Sequence, residues 1–170
     1  MKRIINASLT LLLYGVFSIF CHAQNKDLET IKGRIVTELM SSNVSDKAIE
    51  AIMAKMNDDG SFQGINYADL SRTASFPHGG HTRDLVNLAK AYKSKNSAFY
   101  QSKKIKDLIT KGLEYWVKYD FVGDNWHDNQ ITTPTNLGNL MLVIGDELPK
   151  DLVEKAQPMI GRANMSASGA

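Results

Sequence analysis

Apolar residues along this chain recur at spacings of three and four, the period of a helix rather than of a strand. Leu28, Ile31, Ile35 and Leu39 make a first stripe. Ser45 is placed to cap a second helix, which carries Ile49, Ile52, Met53 and Met56 on one face. The turn-forming run Asp58-Asp59-Gly60-Ser61 stops it. Residues 61–77 hold no period and read as an irregular connection ending at Phe76-Pro77. A third helix starts near Thr82, with Leu85, Leu88, Ala89 and Tyr92 on one side. A fourth runs from Lys104 to Tyr119 and presents Ile105, Leu108, Ile109, Gly112, Leu113 and Trp116. After a loop over 120–132, Thr133-Pro134 reads as an N-cap followed by proline at the first helical position. Leu137, Leu140, Met141 and Ile144 line the fifth helix. Pro149 opens a sixth with Leu152, Val153 and Ala156, and Pro158 is expected to end it.

No stretch alternates as a strand would, so the expected class is all-α, built from antiparallel helix pairs. The rhythm of pairs resembles a toroid or solenoid made by stacking hairpins. An open array of that kind leaves an apolar edge, and residues 161–170 are small and polar with no packing stripe. The reading is therefore an incomplete (α/α) toroid, a fragment of a larger domain. The methionines at 53, 56, 141 and 159 fall at core spacings.

The amino terminus changes the charge balance. Lys2 and Arg3 precede an apolar run from Leu11 to Phe20, and Cys21-His22-Ala23 offers a cleavage site before Gln24. The run is shorter than the roughly 20 residues of a spanning helix. Residues 1–23 are thus expected to be a signal peptide, and the protein to be secreted or periplasmic. Removing them takes two of 20 basic residues and none of 18 acidic ones, leaving 18 of each. The only cysteine leaves too, so neither a disulfide framework nor a thiol nucleophile remains. A neutral mature chain without a binding motif argues against nucleic acid. Charge is nonetheless uneven: eight lysines lie between Lys90 and Lys118 against Asp107 and Glu114. Such a face either attracts an anionic polymer or is simply a solvated helix surface.

The loop Asp124-Asn125-Trp126-His127-Asp128-Asn129-Gln130-Ile131-Thr132 has the most distinctive composition in the chain. An aromatic face can stack on sugar C–H bonds while carboxamides pair with hydroxyls, and a loop between two rigid helices is a usual place for a site. Equally, Trp126 could plug the core while Asn125 and Asn129 satisfy loop backbone. His127 beside Asp124 and Asp128 lacks a third metal ligand. His78 and His81 around Gly79-Gly80 read as loop and helix-cap residues, and Asp58-Asp59-Gly60 lacks the rest of a calcium-loop spacing. Tyr67 and Tyr119 have no visible basic activator. Neither a metal nor a cofactor is predicted.

The run Asn125-Trp126-His127-Asp128-Asn129-Gln130-Ile131, continuing through Thr133-Pro134 to Leu137, resembles the signature of polysaccharide lyase family 8. That family includes chondroitin AC, hyaluronate and xanthan lyases, and its form is Asn-Trp-Trp, two residues, Glu, Ile, then a small residue or two and Pro. Asp59-Gly60-Ser61-Phe62 is similar to the family's Asp-Gly-Ser-aromatic turn. His81 leading to Ala91-Tyr92 and the pair Tyr115-Trp116 also fit, so the resemblance covers roughly residues 25–170. His127 stands where the family has its second tryptophan, and Gln130 where it has glutamate. The resemblance implies that residues 24–170 are the N-terminal part of the toroid domain of a lyase. It further implies that Asn125, Trp126, His127, Asn129 and Gln130 contact an acidic, glycosaminoglycan-like polysaccharide, and that the mature protein is a monomer free of the membrane. The family's Asn, His, Tyr, Arg and Glu that perform β-elimination lie downstream. Ser168-Gly169-Ala170 resembles the Thr-Gly-Ala that precedes its catalytic Asn, so no catalytic residue is assigned here and this piece alone is expected to be inactive. Two other readings stand beside this one: a non-catalytic secreted glycan-binding helical module, and an (α/α)-barrel glycoside hydrolase using Asp124 or Asp128.

Overall fold

The computed structural model describes residues 26–42 and 44–164. The signal peptide expected over 1–23 and the Ser168-Gly169-Ala170 motif lie outside the described residues. The chain divides into two compact units, Met1–Glu38 and Leu39–Ala170. A helix over 26–41 (α1) realises the first apolar period, with Leu28 63%, Ile31 52% and Ile35 38% exposed.

The second unit is helical, and its one β feature among the described residues is an isolated bridge between Met56 and Phe62. Helix α2 (Asp46–Lys55) starts where the sequence reading puts it. The Ser45 hydroxyl accepts the Ala48 N–H, Asp46 sits in the first turn and Lys55 in the last. Both charges oppose the partial charges of the helix ends. A turn over Asn57–Ser61 follows, closed by the Asn57 N–H on the Ser61 carbonyl at 2.8 Å. Gly60 has φ +90°, and a Cβ there would lie 2.3 Å from the Lys111 carbonyl oxygen, so no other residue fits the turn.

Helix α3 (His78–Lys93) begins four residues before Thr82. Hydrophobic period does not reveal this turn because histidines occupy its apolar positions. His78 and His81 are both fully buried, on the same face as Leu85, Leu88 and Tyr92. They are therefore core residues rather than loop residues. Ser75 and Phe76 precede the helix with φ of 54° and 44°. Two successive left-handed non-glycine residues are costly; here they swing the Phe76 ring into the core, 4.7 Å from the His78 ring.

Helix α4 (Lys103–Tyr119) is capped by Ser102, whose hydroxyl accepts the Ile105 N–H, and ends at Asp120 in the left-handed region. It buries Ile105, Ile109, Leu113 and Trp116. Gly112 lets Leu85 approach, since a Cβ there would stand 2.5 Å from the Leu85 Cδ2. Helix α3 is central: it lies against α2, α4 and a fifth helix, α5 (Thr133–Ile144), and α5 in turn packs on α6 (Lys150–Ile160).

Two further helix boundaries differ from the sequence reading, both at prolines. Thr133 is not an N-cap. Helical backbone starts at Trp126 and passes through a π-turn, Asp128–Thr132, directly into α5. Proline at 134 has no N–H, and in a regular α-turn its ring would collide with the carbonyl of residue 130. The wider turn, with the Thr133 N–H on the Asp128 carbonyl, relieves this. The Gln130 carbonyl instead accepts the Asn164 N–H at 3.2 Å. At the other boundary, Pro158 sits inside α6 rather than ending it, and the helix continues to Ile160. Pro158 and Glu154 are exposed, so water can satisfy the carbonyl that the proline leaves unpaired, while buried Met159 anchors the last turn. Among the described residues no helix is long and apolar enough to cross a membrane.

Candidate functional site

The segment joining α4 to α5 is fixed from three sides. Asp120, at the left-handed end of α4, accepts two hydrogen bonds from the Arg162 guanidinium at 2.9 and 2.6 Å. This fork-to-carboxylate pairing ties the chain after α6 to the start of the loop. Phe121 turns inward and is buried among Tyr67, Tyr115 and Trp116. Gly123 passes close under Phe76 and Leu70, where a Cβ would meet the Phe76 ring at 3.0 Å and the Leu70 carbonyl oxygen at 3.1 Å. The Asp124 N–H then donates to that same carbonyl at 2.9 Å.

On this base the polar side chains of the loop organise one another. The Asn129 carboxamide grips Gly123 at both ends: its Oδ1 accepts the Gly123 N–H at 3.0 Å and its Nδ2 donates to the Gly123 carbonyl at 2.7 Å. Asn125 accepts the His127 N–H at 3.2 Å and donates to Asp128 Oδ2 at 2.7 Å. The Thr132 hydroxyl bridges Asp128 Oδ1 and His127 Nδ1, each at 3.3 Å. Gln130 faces Asn164, its Oε1 accepting from Nδ2 at 3.3 Å. The structure thus gathers the five residues singled out in the sequence into one turn. Asn125 and Asn129 use part of their hydrogen-bonding capacity to hold the loop.

Trp126 does not plug the core. It is 37% exposed, and its ring meets that of His127 edge-on at 5.6 Å and 71°. The fully buried tryptophan is Trp116. The result is an indole and an imidazole standing at the surface on a backbone immobilised by its own carboxamides. A rigid aromatic with a hydrogen-bonding neighbour suits a sugar ring, whose C–H face is apolar and whose edge is hydroxylated. Among the described residues no group of three or more His, Cys, Asp or Glu is placed to share a metal ion.

Behind the loop lies a network that sequence spacing did not reveal. Tyr67 has a base beside it after all: its hydroxyl is 2.8 Å from His81 Nδ1. His81 Nε2 lies 2.9 Å from the Gly112 carbonyl oxygen, so that nitrogen carries the proton and Nδ1 accepts from the phenol. The phenol oxygen in turn accepts the Phe62 N–H at 3.0 Å. Burial pushes the His81 imidazole down to about 4 and the Tyr67 phenol up to about 12. Both groups are therefore neutral at pH 7, and rings of Phe62, Tyr115 and Trp116 surround the imidazole. The pair acts as a strut joining α3, α4 and the connection before α3. His78 Nε2 adds a bond to the Tyr67 carbonyl at 3.2 Å. Tyr67 and His81 are 14 residues apart, a separation that carries no local signal.

Residues 22–165 match the family model for polysaccharide lyase family 8, N-terminal α-helical domain. The chain is 30% identical over 122 residues to chondroitinase-AC of Pedobacter heparinus, which covers 71% of this chain and 17% of that protein. A solved chondroitinase AC lyase, from work on its oligosaccharide complexes and active-site mutagenesis, superposes with a TM-score of 0.71 at 29% identity. That match covers 80% of this chain and 21% of the other. The chain spans about a fifth of the length of these relatives. The all-helical class and toroid-type stacking expected from periodicity agree with the helical, toroid-like N-terminal domain of that neighbour.

Proposed function

Because the chain belongs to polysaccharide lyase family 8, as its N-terminal α-helical domain, we propose that it is the glycan-holding part of a lyase. The lyase would cleave uronic-acid polysaccharides of the chondroitin or hyaluronan type by β-elimination. The observation that carries this reading is Trp126, exposed on a loop that Asn129 and Asn125 make rigid. Trp126 supplies the stacking face. His127, in the place of the family's second tryptophan, supplies a ring edge that donates or accepts toward a hydroxyl. Asn125 and Asn129 each donate one amide N–H inside the loop, so the second can meet the sugar, and Gln130 borders the same turn. The amino-terminal signal pattern supports export, which would bring the enzyme to a polymer outside the cytoplasm.

β-Elimination requires that the uronate carboxylate be neutralised, that a base remove the adjacent proton, and that an acid protonate the leaving oxygen. The role of the present residues is to bind and orient. Their buried Tyr67–His81 pair is sealed among aromatic rings and is assigned no step. Residues 24–170 alone are therefore expected to bind glycan weakly and to cleave nothing.

The fluorescence of the two tryptophans tests this, since Trp116 is buried and Trp126 exposed. Chondroitin oligosaccharides should change the Trp126 emission, and Trp126→Ala should weaken binding about tenfold, as expected of an aromatic anchor at the centre of a contact. Equal affinity in the variant would remove the loop from the site. Ultraviolet absorbance from unsaturated uronate, appearing with the isolated chain, would overturn the assignment of binding without cleavage.

A further inference from the structure

The first turns of α4 and the link between α5 and α6 enclose an open groove of about 1030 Å³, at the upper end of the range for small-molecule sites. Four lysines line it: Lys103, Lys104, Lys106 and Lys111. The groove centres on the amino-terminal half of α4, whereas Trp126 comes after its carboxyl end. Lys103 and Tyr119 are at opposite ends of α4, about 24 Å apart along the helix axis, and the loop follows Tyr119.

The two acids that line the groove are already partnered from within the protein. Asp107 holds the Lys103 ammonium at 2.7 Å. Glu147 is held by the ammonium of Lys93, by the Tyr92 hydroxyl at 2.6 Å and by Lys106 at 3.8 Å. Hydrogen bonds from Lys93 and Tyr92 keep its carboxyl below the usual range, so it stays charged and occupied. Lys104 and Lys111 are exposed and have no ion-pair partner among the described residues. They stand seven residues apart, two turns on one face and about 10 Å along the axis. Between these charges the floor is apolar, formed by Leu108, Leu148 and Pro149.

We propose that this groove is a second binding site for an anionic polysaccharide, its sulfate or carboxylate groups on Lys104 and Lys111 and its sugar rings over Leu108 and Pro149. Lysine provides point charges suited to an anion of either geometry. The two lysines would meet anionic groups about 10 Å apart along an extended polymer. A site of this kind would hold a long chain on the domain and raise its local concentration at the loop. The proposal rests on the reading that the polymer is an acidic polysaccharide, but not on contact with Trp126.

The test uses the whole chain and fluorescently labelled chondroitin sulfate, with affinity followed by anisotropy at low and at moderate salt. Lys104→Gln with Lys111→Gln should weaken binding about tenfold at low salt, the effect of two exposed charges. It should also flatten the salt dependence, because fewer charges remain to be screened. Lys47→Gln with Lys55→Gln changes net charge equally on exposed α2 positions outside the groove and should leave binding near that of the parent. Neutral dextran should not compete. An unchanged affinity in the groove variant, or an equal loss in the α2 variant, overturns the proposal, as does competition by dextran. Trp126→Ala separates the two readings. If it binds like the parent while the groove variant is weakened, the groove stands and the loop assignment falls. The reverse pattern removes the groove and keeps the loop.

Discussion

Acid should destabilise this domain well before its carboxylates are protonated, and His81 is the reason. Folded, the imidazole is buried, donates to the Gly112 carbonyl and accepts from Tyr67, and its pKa is pushed down to about 4 from 6.5. The unfolded chain therefore binds a proton near pH 6.5 that the folded chain refuses until about pH 4. Stability from this group is complete above about pH 6.5 and is lost as pH falls through that window. The full span is about 2.5 units, or about 3 kcal/mol at 1.36 kcal/mol per unit, of which about 2 kcal/mol is gone by pH 5. That is a large part of the roughly 5–15 kcal/mol that holds a typical domain together. The carboxyls of Asp46, Asp59, Asp69, Glu147 and Asp151 are held low by hydrogen bonds, so their losses begin only as pH falls into the ordinary carboxylate range, below the His81 window. Asp84 works in the opposite direction, because burial raises its pKa and protonation favours the fold. Urea unfolding followed by circular dichroism from pH 7.5 to 4.5 measures the effect. His81→Gln removes the titration; it should be less stable at pH 7.5 but lose much less on going to pH 5. A parent midpoint that is flat over this range, or a variant as acid-sensitive as the parent, would refute the argument.

Other outcomes follow from the same contacts. Tyr67→Phe leaves the Phe62 N–H and His81 Nδ1 without their partner and should cost about 1–3 kcal/mol by urea titration, although the ring volume is kept. Gly60→Ala meets the Lys111 carbonyl as well as an unfavourable φ; its loss should exceed the roughly 1 kcal/mol of an ordinary glycine replacement, and a thermal melt unchanged from the parent would contradict the close approach. Trp126→Ala should leave stability within about 0.5 kcal/mol, as surface changes do, while lowering glycan affinity. Asn129→Ala should do both, removing about 1–2 kcal/mol of loop stability together with affinity, because both bonds to Gly123 are lost.

Much of the helical layout was legible because it depends on local rules. Ser45 caps where a side-chain oxygen can reach a free N–H three residues on, and Ile49, Ile105 and Leu137 fall on a 3.6-residue period that buries one face. The loop at 124–132 stood out by composition, and its resemblance to family 8 fits the match over residues 22–165. The misreadings cluster where a residue's usual role was set aside by its surroundings. His78 and His81 look polar, yet imidazoles with hydrogen-bond partners and aromatic walls serve as core side chains. Pro134 and Pro158 look like boundaries, yet a π-turn absorbs one and solvent tolerates the other.

Period and capping depend on neighbours three or four residues away, so the sequence by itself determined that this protein is helical, where most helices lie and which loop is unusual. Tertiary structure alone decided that Trp126 is exposed while Trp116 is buried, and that Arg162 anchors the loop from 42 residues beyond Asp120. It alone also set Tyr67 against His81 and opened a lysine-lined groove between α4 and the α5–α6 link. Each of these depends on which helices pack together, and burial, unlike periodicity, is a property of the packed assembly rather than of any segment within it.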